Sequence, residues 1–421
     1  MRTGDRSRVE LSVLIVRAAA ARIADVNNFA VVIGRARDVH GLAVVHQFPE
    51  DVQKCYVKPD PWRWIQSVVL LAPLSTIYEV AKRARVSTAT VSRVLSQPAV
   101  VTPSTRRRVL HAIERLGYEP NSTAQNLRTL RTGKLIVSVP DISNPFFSLI
   151  LQGIEAAAQR AGYSVLVGDT QHDEKREEGY AMMLRRKEAD GLIFLGHRLP
   201  DEAATVIRAM KPKCAPIVNG CEFSPTLGTP SVHIDNAKAA YEAMDHLYGL
   251  GHRRVGIITG PLVSPLSRDR LSGAKARAKR QRAEHLCTVM QGDFSVESGA
   301  AAAERVLSRP DPPTAIFCFN DEMAMGVNEM ARRLSVDVPR DLSVVGFDDI
   351  RFARHTHPPL TTIAQPMRQI GEGTVQLLLG ILSGGDEMDT PASVTLQHRL
   401  VVRASTTAPR RRTQARARSA S

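Results

Sequence analysis

Thr76-Ile-Tyr-Glu-Val-Ala-Lys-Arg-Ala-Arg-Val-Ser-Thr-Ala-Thr-Val-Ser-Arg-Val-Leu95 carries two helix starts in close succession. Ile77, Val80, Ala81 and Ala84 recur at helical intervals. Thr76 ahead of them can cap the first turn, with Glu79 three residues on as its reciprocal partner. Ser87 is a second cap, and Val91, Val94 and Leu95 form the inward stripe of a helix beginning at Thr88. Two short helices across a tight turn make a helix-turn-helix. Thr88, Ala89, Ser92 and Arg93 fall off the apolar stripe, on the helix that such motifs lay against base edges. Arg93 has the fork that pairs with guanine, and Thr88 and Ala89 suit a thymine methyl or a phosphate. Similar capped hairpins also serve as plain packing units, so the pattern alone leaves both readings open.

Charge separates them. A third helix is expected from Pro103 through Arg106-Arg107-Arg108 to Leu116, ended by Gly117. Residues 75–133 hold 10 Lys+Arg against 3 Asp+Glu, a net of +7, whereas residues 134–402 hold 30 against 32, a net of −2. Positive charge gathered on one segment is what counterion release from phosphates favours.

Val86-Ser-Thr-Ala-Thr-Val-Ser-Arg-Val-Leu95, with Gly117-Tyr-Glu-Pro-Asn121 and Ala124-Gln-Asn-Leu-Arg128, resembles the headpiece of the lactose-repressor (LacI) family of bacterial transcription regulators. The resemblance runs from Thr76 to Ala404. Within the family the wording is most similar to the cytidine-repressor branch, through Pro140-Asp-Ile-Ser-Asn-Pro-Phe-Phe147, Leu195-Gly-His-Arg-Leu-Pro200, Val232-His-Ile-Asp-Asn236 and Gly292-Asp-Phe294. It implies that Thr88, Ala89 and Arg93, with Ser92 beside them, read bases in the major groove. It implies too that Tyr78 and Ser87 touch phosphate, and Thr76 is counted with them among the DNA-binding residues. Asn121 to Arg128, with Ala124 inside it, matches a hinge helix that folds on operator DNA. Leu127 matches a lever that wedges into the minor groove, where unstacking costs roughly a few kcal/mol and is offset by contacts the bend permits. An ordinary apolar hinge position is the plainer reading of Leu127.

Beyond Lys134 the pattern alternates between strands and helices. Leu135-Ile-Val-Ser-Val139 reads as a buried strand, Phe146 to Ala161 as a helix closed by Gly162, and Ser164 to Gly168 as a second strand. Strand signals recur at Gly191 to Leu195, Pro216 to Val218, Val255 to Ile258, Thr314 to Phe319 and Ser343 to Gly346. Such alternation implies doubly wound parallel sheets, and the length suits two similar lobes. The resemblance makes them a periplasmic-binding-protein-like pair joined by three crossovers, with effector between. The expected division is an extension (1–74), an all-α helix-turn-helix headpiece (75–120), a hinge helix and linker (121–133), a two-lobed α/β core that also dimerises (134–404) and a disordered basic tail (405–421).

Ligands of open parallel sheets sit beyond the carboxyl ends of the strands. Phe146, Phe147, Arg270, Phe294, Asn320 and Asp321 lie at or near such ends. The resemblance matches Phe146 and Phe147 to aromatic positions that stack on or close over effector, Arg270 to an arginine contact from the second lobe, and Asp321 to an acceptor of sugar or ribose hydroxyls. A carboxylate with a guanidinium suits a polyol ring. Plainer roles stand beside these: Asp321 as cap of a helix starting at Glu322, Arg270 as an inter-lobe salt bridge, the phenylalanines as core (Phe147 more than Phe146), and Asp235 with Asn236 as a turn. Asn219-Gly-Cys221 departs from relatives that carry an acidic or amide residue there. Cys221 therefore lines the expected site without a strong acceptor. Ser264-Pro-Leu266 replaces the polar pair of a purine-base binder. A nucleoside is the first expectation for effector and a sugar the second.

Enzyme readings fare worse. Asp348-Asp349 follows a strand as a turn would. Gly251-His252 and Arg354-His-Thr-His357 lack a metal set's partners, and no nucleophile elbow or phosphate loop occurs. Neither cofactor nor metal is implied. A transport-type solute receptor would share the two-lobed core but predicts an export signal without a basic headpiece. Leu11 to Val16, behind Arg6 and Arg8, is too short for such a signal. Five cysteines without paired spacing suit a reducing cytoplasm. Residues 1–74 read as an upstream extension, with initiation expected near Val68 to Leu74. The expected partners are double-stranded operator DNA, a small-molecule effector and a second copy of the chain, with or without other regulators; no membrane is implied.

Overall fold

Capping chemistry fixes the first three helices. In a computed structural model of the chain, the described residues are 75–118, 131–198, 200, 201, 203–205, 215–222, 228–384 and 393–410. Helix α1 (Ile77–Ala84) starts on Thr76 and Glu79 as a reciprocal capping box, and Arg85, at φ 52°, ends it. Helix α2 (Thr88–Ser96) starts on Ser87, whose hydroxyl accepts from the Thr90 amide at 3.2 Å. Helix α3 (Pro103–Leu116) begins with a proline, which needs no amide partner there, and stops at Gly117 in the left-handed region. Val80, Ala81, Ala84, Val91, Val94, Val109 and Ala112 form their shared core. This unit, through Asn121, is compact in itself, and the rest of the chain forms a second unit.

That second unit holds two six-stranded sheets. The first comprises β1 (Lys134–Val139), β2 (Ser164–Asp169), β3 (Gly191–Phe194), β4 (Ile217–Gly220), β5 (Ser231–Ile234) and β11 (Ser393–Leu396), in the order β11-β5-β4-β3-β1-β2, all parallel. The second comprises β6 (Val255–Thr259), β7 (Cys287–Gln291), β8 (Ala315–Cys318), β9 (Ser343–Asp348), β10 (Thr361–Ala364) and β12 (Arg399–Val401), in the order β12-β10-β9-β8-β6-β7. Its strands are parallel except β12, which runs antiparallel to β10. Central strands β3, β8 and β9 are buried throughout, as parallel strands covered on both faces must be.

Helices cover the sheets: α4 (Pro145–Arg160), α5 (Glu174–Arg185), α6 (Asn236–Gly249), α7 (Pro265–Arg280), α8 (Val296–Leu307), α9 (Asp321–Arg333) and α10 (Met367–Leu382). The chain leaves the first sheet after β5, returns through α10 to β11, and leaves again to β12, giving three crossovers. Helix α6 packs on α7, α8 on α9, and α10 on α4.

Two readings need correction. The segment from Ser405 is no loose tail as far as Arg410. Ser405 is fully buried; its hydroxyl donates to the Val344 carbonyl at 2.6 Å, and its carbonyl accepts from the Val344 amide at 2.8 Å. The Thr407 amide donates to Ser343 Oγ at 3.0 Å, and Arg410 pairs with Asp341 at 2.9 Å. Strands β5, β7, β10, β11 and β12 were not among the expected ones. They are short or lie at sheet edges, where alternation is weakest. The extension 1–74, the hinge residues 121–128 and the tail from 411 fall outside the described residues.

Candidate nucleic-acid interface and effector cleft

With its valines turned inward, α2 presents Ala89 and Arg93 to solvent and leaves Thr88 and Ser92 half-buried. Tyr78 on α1 is 74% exposed, an unusual position for an aromatic ring unless something covers it. Thr76 and Ser87 are both occupied as caps: the Thr76 amide donates to Glu79 and its hydroxyl accepts from the Glu79 amide, while the Ser87 hydroxyl accepts from the Thr90 amide. Arg107 and Arg108 are exposed, whereas Arg106 turns inward and donates to the Val101 carbonyl at 3.4 Å. Two of those three arginines, not all three, thus offer free charge. Asn121, Ala124, Leu127 and Arg128 lie outside the described residues.

The effector candidates gather at the carboxyl ends of the strands, but their side chains are engaged in ways the sequence does not spell out. Asn320, not Asp321, caps α9: its Oδ1 accepts from the Met323 amide at 2.9 Å, and its Nδ2 donates to the Phe294 carbonyl at 2.8 Å. Asp321 is the first residue of the helix and is wholly buried. It accepts from the Ile350 amide at 2.8 Å and from the Thr362 hydroxyl at 2.6 Å. Burial, and then the nearby Asp348, push its carboxyl well above the usual range.

Arg270 is buried to 3%. Its Nε donates to Asn236 Oδ1 at 2.8 Å, its Nη1 donates to the Phe319 carbonyl, and its guanidinium lies 3.6 Å over the Phe347 ring. Asp348, 3.9 Å away, ends β9 of the same lobe, so the ion pair lies within the second lobe rather than between lobes. Desolvation lowers Arg270 to about 10 against the pull of Asp348 and Glu222, while burial raises Asp348 to about 7. Asp348 and its neighbour Asp349 have φ of 108° and 57°, a reversal held by Gln365 on the first carboxylate and Arg403 on the second.

Phe146 is 8% exposed within the first lobe's core and meets the half-buried Phe147 edge-on at 5.2 Å. Phe146, not Phe147, is therefore the core residue of the pair. Phe294, at φ 76°, sets its ring over Gly260, where an added Cβ would come within 2.0 Å of the ring. Asp235 is exposed and caps α6 by accepting from the Lys238 amide at 2.8 Å, the turn role. Cys221 sits buried at φ 65°, and burial raises its thiol well above the ordinary value, so it is neutral there. His252 is also structural: it is 1% exposed and hydrogen-bonded to Thr314, Ser343 and the Thr407 carbonyl.

Sequence reasoning passed over Glu222, Asn219 and Asp348 as site residues. Glu222 is 6% exposed and accepts from the Ser264 hydroxyl at 3.0 Å. A lone carboxylate directly after a buried strand was the available signal. Four buried polar atoms at these same strand ends have no hydrogen-bond partner: Thr170 Oγ1 after β2, Asn219 Oδ1 in β4, Thr259 Oγ1 ending β6 and Ser267 Oγ in the first turn of α7. Buried polar atoms are nearly always paired, so orphans at the strand ends of both lobes are suited to a polar ligand.

Residues 76–121 match the bacterial regulatory proteins of the lacI family, and residues 244–406 match a periplasmic binding protein-like domain. The HTH-type transcriptional repressor CytR of Escherichia coli K12 is 42% identical over 317 residues, spanning 74% of this chain and 90% of that repressor. The crystal structure of the Lac repressor dimer bound to operator and the anti-inducer ONPF superposes with a TM-score of 0.72 at 30% identity, covering 79% of this chain and 99% of that one. A LacI family regulator from Enterococcus faecium with bound ribose gives a TM-score of 0.59 at 26% identity, covering 66% and 100%. On the extent of these matches, headpiece and core together, the chain belongs to the lacI family of bacterial regulatory proteins.

Proposed function

We propose that a nucleoside held between the two lobes sets the operator affinity of this repressor. That the protein is a DNA-binding transcriptional regulator follows from its family. The choice of effector rests on the four unpartnered buried polar atoms at the strand ends, together with Arg270 and the raised carboxyls beside it. Hydroxyl and amide groups left unpaired at the strand ends, with carboxyls beside Arg270, suit a ligand with several hydroxyls on a ring. The ribose held by the Enterococcus faecium relative supports such a ring, and Phe147 and Phe294 offer aromatic faces for a base.

In this reading Thr88, Ala89, Ser92 and Arg93 read bases while Thr76, Tyr78 and Ser87 line the phosphates. Asn121, Ala124 and Arg128 form the hinge, and Leu127 is its wedge. Phe146, Cys221 and Asp321 shape the effector site, and Phe147, Asp235, Arg270, Phe294 and Asn320 face it. Two copies grip a two-fold operator, since the symmetry of a dimer is mirrored in its half-sites. Effector acts only through its differential affinity for the states of the core, and each ligand then alters the other's binding by the same factor. A thermal-shift screen of nucleosides and sugars, with and without operator DNA, tests the choice. A nucleoside is expected to raise the melting temperature. Shifts by sugars alone would transfer the site to the second reading, a free sugar, which the ribose-bound relative also favours.

A further inference from the structure

Helix α7 starts without a cap of its own. Ser264 holds the N-cap position, yet its hydroxyl accepts from no amide of the helix. It donates instead to Glu222, at 3.0 Å to Oε1 and 3.3 Å to Oε2. The Leu266 amide, in the first turn of α7, lies near enough to the same carboxylate to pull its pKa down against the larger rise from burial. A capping carboxylate normally comes from the helix's own N-terminal residues. Here it comes from the loop after β4, in the other lobe, and both partners are buried, Glu222 to 6% and Ser264 to 3%.

We propose that Glu222 is an inter-lobe latch: by capping α7 from across the cleft, it holds the lobes closed and sets the fraction of closed core from which effector response begins. This rests on the reading that closure of the lobes carries the response. Opening would strip the Ser264 hydroxyl of its acceptor and carry the Leu266 amide away from the carboxylate, returning both to water.

The latch carries a pH dependence of definite sign. The groups facing Glu222 are Asp269 and Arg270 on α7 and Cys221 on its own loop, with Asp348 of β9 behind Arg270 and Cys221. Burial dominates them, and Glu222 is raised from 4.5 to about 7 in this closed arrangement. A carboxyl whose pKa is higher closed than open favours closure fully below the open value. That preference is lost as pH climbs through the closed value. Between pH 6 and 8 the closed-to-open ratio should fall about tenfold for one such group. Glu322, raised to about 7 by burial and by Asp141 of the opposite lobe, is only half-buried, so solvent screens its share.

Hydrogen exchange of the Leu266 amide in the full chain reads the latch directly and needs no effector, so it can fail while the effector reading stands, and the reverse. Corrected for intrinsic exchange, wild-type protection should drop about tenfold from pH 6 to 8. Glu222→Gln keeps an acceptor but no titrating charge, and its protection should stay within about twofold over the same range. Ser264→Ala, which removes the one hydroxyl that holds Glu222 across the cleft, should lower protection while keeping the pH step. Thermal melts of both variants establish that they fold. A pH step of unchanged size in Glu222→Gln, or a Leu266 amide indifferent to Ser264→Ala, overturns the latch.

Discussion

Arg93 and Asp321 show how far a side chain's type can be trusted. Arg93 is exposed on α2, as the apolar stripe requires, and nothing in the headpiece core needs it. Arg93→Ala should therefore cost about 1–3 kcal/mol of specific binding and relax preference at one base position. Arg107→Ala, exposed on α3, should weaken binding evenly across sequences and flatten the salt dependence by about one unit of slope. Fluorescence-anisotropy titrations at several salt concentrations separate the two. Asp321 stood out in the sequence as a candidate by its place after a strand, but its burial did not show there. The partners that occupy it, Ile350 and Thr362, are distant in sequence and invisible to local pattern. Its removal strands two donors, so Asp321→Ala should lower the unfolding free energy by roughly 2–4 kcal/mol in urea titrations, and Asp321→Asn by less than half as much.

Elements were readable in proportion to how much of their definition is local. The starts of helices α1 to α3 and the end of α3 were readable because Thr76, Ser87, Pro103 and Gly117 encode them. The central strands declare themselves by unbroken apolar runs. Strands β10 to β12 do not: each is three or four residues long and owes its existence to a neighbour contributed from elsewhere in the chain. Helix pairing is likewise silent in the periodicity but depends on glycines at the crossings. A Cβ on Gly326 of α9 would stand 2.0 Å from the Val296 carbonyl oxygen and 2.7 Å from the Ala300 amide nitrogen of α8. A Cβ on Gly299 would stand 2.2 Å from the Met323 carbonyl oxygen on the other side of the crossing. Because the obstacles are backbone, the helices must part. Gly326→Ala should cost about 1–3 kcal/mol, seen as a lower midpoint in chemical denaturation.

For the molecule as a whole, charge segregation and strand-helix alternation made both the headpiece and the two-lobed core legible. The cleft's wiring was not, since Glu222, Ser264, Arg270, Asn236 and Asp348 converge only through the crossovers. The net of +7 on residues 75–133 against −2 on residues 134–402 concentrates phosphate affinity on the headpiece. That charge supplies attraction without specificity; the edge of α2 must supply the rest. Selection from a library of random duplexes by the full chain, at fixed salt near 150 mM, tests this most directly. The account predicts enrichment of a two-fold symmetric sequence bound at least about a thousandfold more tightly than unselected DNA. Recovery of no shared sequence, with all duplexes bound alike, would contradict it.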